Sequence, residues 1–308
     1  MADYDILVPG ELNPDIILSG GDVMPRFGQY ELLVDDIQLT IGSSSAIFAC
    51  AAARLGLRVA FVGIVGDDLF GRFMLDALSE RGVDVSFVHS DPGLRTGVSI
   101  ILSRTTDRAI LTFAGSIGAL TADRIPLTLL ENCHAIHISS YFLQKALQPG
   151  LPDFFRRAKQ LNRLISLDTN WDPEERWNAN LKRVYPYVDI LMPNEREAAH
   201  LGRAQNWYQG ARALAAQHMQ VVVKRGAQGA ALVSENTSIE VKAFPTTVID
   251  TTGAGDNFNA GYLYGYLQNW SAESCLKMGL ACGAISVQAV GGTGKQATLH
   301  EALEIANL

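Results

Sequence analysis

A chain of 308 residues with 48% hydrophobic and 19% charged residues is long enough to bury a sizeable core and too apolar to remain disordered. Its 25 Lys and Arg against 32 Asp and Glu leave a net charge of −7, which repels polyanions and excludes nucleic acid as an expected partner. Cys50, Cys133, Cys275 and Cys282 lie far apart with no CxxC pair, so they read as reduced thiols rather than zinc ligands or a disulfide framework. The first residues, MADYDILVPG, carry acids where a secretory signal needs positive charge, and the most apolar stretch, 46–66, is interrupted by Arg54 and Arg58. Neither export nor a membrane span is expected, and the expected location is the cytoplasm.

Short apolar runs at 5–8, 59–63, 135–138, 164–167, 190–192 and 221–223 predict buried parallel strands. Helical periodicity at 46–55, 69–80, 151–161, 195–201 and 207–217 falls between them, and this βαβ rhythm predicts an α/β fold. Two stretches break the rhythm, 15–41 and 93–113, where alternation such as Gly97-Val98-Ser99-Ile100-Ile101-Leu102 predicts strands without a crossover helix. Separated strands need partners for their backbone groups, so the two stretches are expected to pair as a small β flap formed from about 12–41 and 91–116. Residues 230–241, around Ser234-Glu235-Asn236-Thr237, predict a hairpin at the sheet edge, and 255–308 is expected to be almost wholly helical. With no internal repeat or Pro/Gly/Ser linker, one domain spanning 1–308 with a flap is the simplest organisation.

The most informative stretch is Asp250-Thr251-Thr252-Gly253-Ala254-Gly255-Asp256, a glycine-rich turn that runs directly into a helix. A helix start offers unpaired N–H groups and the positive end of its dipole, and glycines let a phosphate approach the backbone. Asp256 stands in the first turn beside that anion hole, where a base would take a proton from an attacking hydroxyl. For an arbitrary turn of this kind the plain alternative is that Thr252 or Asp256 only caps the helix.

With that heptapeptide, the sequence resembles the ribokinase-like (pfkB) family of carbohydrate kinases. The resemblance extends to Gly42–Leu55 followed by Val62-Gly63-Ile64-Val65-Gly66-Asp67-Asp68-Leu69-Phe70-Gly71, and so over essentially the whole chain. It implies a ribokinase-like three-layer α/β/α fold with a mostly parallel sheet, a β lid over the sugar, and ATP-dependent phosphorylation of a hydroxymethyl group on ribose, fructose or a related carbohydrate. It implies ATP and Mg²⁺ as cofactors, a monovalent cation such as K⁺ near the anion hole, a homodimer, and Asp256 as general base with Gly253, Ala254 and Gly255 supplying amides.

The resemblance carries further residues. Asn13 and Asp15, after the first strand, correspond to sugar-binding positions, although Asn-Pro-Asp also makes an ordinary turn. Pro193-Asn194-Glu195-Arg196-Glu197 resembles an NxxE motif, implying that Asn194 and Glu197 face metal and phosphates; Asn194 could equally be an N-cap. Lys224-Arg225-Gly226-Ala227-Gln228-Gly229 resembles a turn lining the nucleotide phosphates, with Lys224 in place of the usual threonine as a point charge or simply a surface lysine. Asn170, in Asp168-Thr169-Asn170, would face the phosphate path or close a turn. Residues 279–294 resemble the part that holds adenine.

The chain departs from the family pattern at Gly42-Ser43, where a second glycine is usual, and at Ile47, where an asparagine is usual. Ser43, Ser44 and Ser45 either replace the missing amide or cap the helix. Gly291-Gly292-Thr293-Gly294-Lys295-Gln296 fails as a P-loop, because Gln296 stands where a Mg²⁺-binding hydroxyl is required. His134 and His137, three apart on a strand, face opposite ways and make no metal pair, and Trp171, Trp177 and Trp207 read as packing residues. Within the kinase class the alternative acceptor is a nucleoside; acidic sugars would need lid arginines such as Arg95, Arg104 or Arg108. From another class, a non-catalytic sugar or nucleotide sensor would keep the fold without turnover.

Overall fold

The computed structural model of the chain describes residues 3–104, 108–177 and 180–308. The chain enters through β1 (Tyr4–Pro9), leaves the main sheet for β2 (Pro14–Ser19) and β3 (Asp36–Ile41), and returns through α1 (Ser44–Arg54) to β4 (Val59–Gly66), α2 (Leu69–Ser79) and β5 (Val83–Asp91). A second excursion makes β6 (Val98–Ser103) and β7 (Arg108–Phe113). Then come α3 (Leu127–Glu131), β8 (Cys133–Ile138), α4 (Leu151–Gln160), β9 (Leu164–Leu167), α5 (Leu181–Val184), β10 (Ile190–Leu191), α6 (Glu195–Leu201), α7 (Trp207–Ala215) and β11 (Gln220–Lys224). The hairpin β12 (Ala230–Val233) and β13 (Ser238–Val241) precedes α8 (Ala254–Leu267), α9 (Ala272–Ser286) and α10 (Leu299–Ala306).

Nine described strands form one sheet in the order β13-β12-β11-β10-β9-β8-β1-β4-β5. It is parallel from β5 to β11 and antiparallel where β12 joins β11 and β13 joins β12. The runs that read as buried strands are buried on both faces: every residue of β4 is buried. Helices α1, α2, α8, α9 and α10 cover one face and α3 to α7 the other, each over its own apolar core, which gives three layers. Connections leave β1 toward β4 on one side and continue from β8 on the other, so the strand order reverses between β1 and β8. In open sheets that reversal opens a crevice at the carboxyl ends of the strands.

The two broken-rhythm stretches pair as expected. They form a separate four-stranded sheet, β3-β2-β6-β7, in which Asp15 lies opposite Ser99 and Ile17 opposite Ile101. The sequence reading omitted β5, a half-exposed strand without a clean apolar run, and Asp91 at the start of the expected second flap segment is its last residue. The edge hairpin closes through Ser234 N–H to the Thr237 carbonyl, 2.8 Å. The carboxy-terminal segment is helical except for the turn at 268–271, the irregular stretch 287–298 and the last two residues. His137 is buried between the hydroxyls of Ser166 and Ser139, whereas His134 is exposed, so the two imidazoles do face apart. Among the described residues no helix is long and apolar enough to cross a membrane.

Candidate active site

A cavity of about 640 Å³ opens at the carboxyl ends of the strands, between the main sheet and the β2–β6–β7 face of the flap. One end comes from the exit of β1 and from the flap. Asn13 and Asp15 line it, joined by Ser99 and Thr112, which face the same way because they share register rows with Asp15. The Asn13 amide reaches the Ser99 hydroxyl at 3.5 Å, and Ser99 bonds Thr112 at 3.0 Å. Burial pushes the Asp15 carboxyl up to about 7, against the opposing pull of Arg108 and Ser99. Gly42 lies behind Asp15 and leaves room for it, while Ser43 lines the cavity and caps α1 by accepting from Ala46 N–H at 3.3 Å.

At the opposite end, α8 begins at the glycine turn. Gly253 adopts φ 70°, a left-handed conformation, and a Cβ there would stand 2.7 Å from Gly292 Cα, so glycine is required on both counts. Asn257 ties the turn down by donating to the Gly253 and Gly292 carbonyls at 2.8 and 3.1 Å. Gly253, Gly255 and Asp256 line the cavity. Ala254 does not; its N–H points at the Thr251 carbonyl at 3.3 Å. Burial, and then the Asp168 charge, push the Asp256 carboxyl well above the usual carboxylate range, with Lys224 opposing.

Between the two ends lies a charge cluster. Asp168, at the exit of β9 and 1% exposed, accepts from the Lys224 ammonium and from Asn259 at 2.6 Å. Burial works to depress the Lys224 ammonium, but Asp168, Glu197 and Asp256 together hold it above its ordinary value. A Cβ on Gly255 would lie 3.3 Å from Lys224 Nζ, so this cation presses against the anion hole itself. Lys224 is therefore no surface lysine. Asn170 spans the cavity wall, accepting from Ser140 N–H at 3.1 Å and donating to Ser44 Oγ at 2.9 Å, and Ser44 is among the groups that ease the charge on Asp256.

Asn194 and Glu197 make a capping box at the start of α6: Asn194 Oδ1 accepts from Glu197 N–H at 2.9 Å, and Glu197 accepts from the Asn194 backbone and amide at 2.8 and 2.7 Å. Asn194 is thus an N-cap, and the cap lines the cavity. Burial and Asp168 push the Glu197 carboxyl up to about 7. Gly226 lines the cavity, but Gly229 is turned against the edge strand, where a Cβ would meet the Val241 carbonyl oxygen at 1.9 Å. Gln296 bonds the Ile47 carbonyl and Asn257, consistent with its exclusion from a P-loop.

Five carboxylates line the cavity, Glu11, Asp15, Asp168, Glu197 and Asp256, against two cations, Arg108 and Lys224. That excess fits a divalent cation. No cluster of three or more His, Cys, Asp or Glu side chains among the described residues is arranged to hold a metal by itself. Mg²⁺ keeps waters and shares phosphate oxygens with one or two carboxylates, which suits this acidic lining. Glu197 would face that ion with Asn194 beside it.

A pfkB family carbohydrate kinase profile matches residues 10–299. The chain belongs to the pfkB family of carbohydrate kinases. Its fold accordingly matches that of ribokinase-like proteins: an Escherichia coli protein described as a ribokinase II, solved with ATP and Mg²⁺, superposes with TM-score 0.87 at 25% identity over 99% of both chains. Among curated pfkB relatives, the ribokinase of Haemophilus influenzae is 27% identical over 97% of both chains. A sugar kinase of Archaeoglobus fulgidus without assigned substrate is 29% identical over 78% of this chain and 95% of its own. Membership makes this protein a phosphotransferase acting on carbohydrate hydroxyls.

Sequence reasoning left several cavity groups unassigned. Glu11 is buried with its carboxylate bonded to the Ser45 hydroxyl at 2.6 Å and the Ser45 N–H at 3.2 Å, and burial pushes it above the usual range. An acid directly after the first-strand glycine was the available signal. Asp168 and Asn259 meet only through folding. Arg108, at the start of β7, pairs with Asp250 at 3.2 Å and reaches the Thr252 hydroxyl, joining the flap to the anion-hole turn. Of the three tryptophans read as packing, Trp207 lies under the Arg225 guanidinium, Trp177 stacks on His200, and Trp171 lines the cavity.

Proposed function

We propose that this kinase transfers the γ-phosphoryl group of ATP to the hydroxymethyl group of a neutral sugar such as ribose or fructose. The observation that carries the reading is the placement of Asp256 in the first turn of α8, buried beside a glycine turn, in the same cavity as Asp15 and Asn13. Asp15 and Asn13 bind sugar hydroxyls and aim one alcohol at Asp256. The alcohol oxygen bonds the γ-phosphorus as the β,γ-bridging bond breaks, and its proton passes to Asp256 Oδ. Gly253 and Gly255 present backbone amides to the charge that develops on the transferred group, and Lys224 holds the leaving phosphate side from against Gly255. Mg²⁺, when bound, neutralises phosphate charge; Glu197 and Asn194 would hold it. The flap strands exclude water that would otherwise hydrolyse ATP.

Neutral rather than acidic acceptors are favoured because the lid arginines Arg95, Arg104 and Arg108 are already engaged. Arg95 lies over the Phe113 ring, Arg104 pairs with Asp22 and Arg108 with Asp250. A coupled ADP-release assay across pentoses, hexoses, acidic sugars, polyols and nucleosides tests the reading, with and without K⁺. Sugar-dependent ADP release that Asp256→Asn reduces by about 10³-fold or more is expected. Turnover only with nucleosides would replace the acceptor, and no acceptor-dependent turnover would leave a sensor.

The homodimer is supported by the outer face of the flap. Because Asp15, Ser99 and Thr112 face the cavity, the alternate row Leu39, Ile16, Ile100 and Leu111 faces outward, and Ile37 and Leu111 are 65% and 59% exposed. A second copy would cover this apolar sheet face, and solution scattering reads the mass. The four cysteines are free and buried, which suits the reducing cytoplasm.

A further inference from the structure

A second cavity, of about 780 Å³, lies on the helical layer formed by α5, α6 and α7, away from the strand ends. Its floor is apolar: Leu181, Tyr185, Leu201 and Leu214 are buried beneath it. Its rim carries Lys182, Arg183 and Arg203, and no carboxylate is among the described lining residues. Elsewhere cations meet neighbouring acids, as Arg58 meets Asp5 and Lys159 meets Asp189. Lys182, Arg183 and Arg203 make no ion pair or side-chain hydrogen bond among the described residues.

We infer that this cavity is a second ligand site, for a small organic phosphate. Three unpaired cations without a competing acid favour a multiply charged anion, and guanidinium groups match phosphate oxygens in pairs. The apolar floor and the volume call for an organic body rather than a bare ion, since ligand cavities of roughly 300–1,000 Å³ combine an apolar lining with a few polar groups. The two cavities have no described lining residue in common, but one helix and a tryptophan pair run between them. Helix α6 starts at Asn194 and Glu197, which line the catalytic cavity, and ends at Leu201, with Arg203 just beyond, in the second. Trp177 lines the second cavity, stacks on His200 at 4.6 Å between ring centroids, and meets Trp171 of the catalytic cavity edge-on at 4.8 Å. An occupant would therefore rest against the far end of the helix whose N-terminal cap lines the catalytic cavity.

The test is equilibrium dialysis of the full-length chain against ADP and, separately, against fructose 6-phosphate. Both are repeated on a chain carrying Lys182→Glu, Arg183→Glu and Arg203→Glu, and on a control carrying Arg58→Glu, Arg72→Glu and Lys277→Glu. The expected result is that the first triple variant loses one bound equivalent of at least one probe, or binds it about tenfold more weakly. Sugar turnover at saturating substrate stays unchanged, and the control keeps that equivalent. The probe that is lost identifies the ligand as nucleotide or sugar phosphate. Equal binding of both probes by wild type and the first variant, or an equal loss in the control, overturns the proposal. The readout is a loss on charge reversal, so it holds whether or not the catalytic cavity proves to bind a sugar.

Discussion

The backbone of Gly42 passes so close to Asp15 that a Cβ on it would stand 2.1 Å from Asp15 Oδ1. Since Gly42 precedes α1 and Asp15 opens the flap strand β2, the contact fixes where the carboxylate points. Gly42→Ala must push that carboxylate aside while leaving the anion-hole turn alone. The KM for the sugar is expected to rise at least about tenfold, with the KM for ATP little changed, because substrate-positioning groups act through sub-ångström placement. Steady-state kinetics in both substrates decides it; an unaltered sugar KM would remove Asp15 from the acceptor site.

Asp15 also makes a stability prediction whose sign follows from its burial. Its folded-state pKa, near 7, lies above the ordinary 3.8, so the native protein holds this proton more firmly than the unfolded chain does. The stability that protonation contributes is full below the unfolded value and is lost as pH rises through about 7. Asp15→Asn removes the titration, so at pH 8 the variant should be more stable than the parent by about 1–3 kcal/mol, and at pH 4 nearly equal to it. Thermal melts of both proteins at the two pH values test this. An equal difference at both would show that charge burial is not the cause. The same variant should lose sugar affinity, so the cost of the buried charge is borne for binding.

Asp168 and Lys224 pull the Asp256 carboxyl in opposite directions, Asp168 upward and Lys224 downward. The acid limb of kcat/KM reports the base of the free enzyme. Lys224→Met should therefore move that limb to higher pH, and Asp168→Asn should move it to lower pH. Both variants also lose turnover, since breaking a buried pair leaves one partner uncompensated. The direction of the limb, read from pH profiles rather than from rate at one pH, separates an electrostatic role from simple damage. Shifts of the same sign in both variants would contradict the arrangement.

What the sequence made legible follows from the range of the forces involved. Strand 164–167 and helix 195–201 coincide with β9 and α6 because a buried strand and an amphipathic helix declare themselves by local periodicity. The glycine turn at 250–256 was legible because a left-handed Gly253 and a helix start are local chemistry. The triad Asp168–Lys224–Asn259 was not, since its members stand 56 and 91 positions from Asp168 and meet only where β9, β11 and α8 converge. Lys224 could be placed at a strand end but not against Gly255. The edge strand β5 escaped notice because one of its faces meets water and its apolar run is broken.

Gly226 and Gly229 look alike in the sequence, both as turn glycines beside the nucleotide, and the structure separates them. Gly226 has φ 53° with nothing within 4 Å of a Cβ, and it lines the cavity. Gly229 has φ 102°, and a Cβ on it would stand 1.9 Å from the Val241 carbonyl oxygen, so its freedom serves the β12–β13 hairpin. Gly226→Ala should cost only about 1 kcal/mol of stability, the left-handed penalty, while raising the KM for ATP. Gly229→Ala adds a clash with backbone that cannot swing away, and should lower stability by several kcal/mol and the melting temperature by about 5 °C or more. The Gly229→Ala protein that does fold should keep a near-normal KM for ATP. Melting curves and ATP saturation curves on the two variants together test the division. If Gly229→Ala raised the KM for ATP more than Gly226→Ala did, Gly229 would have to be returned to the nucleotide site.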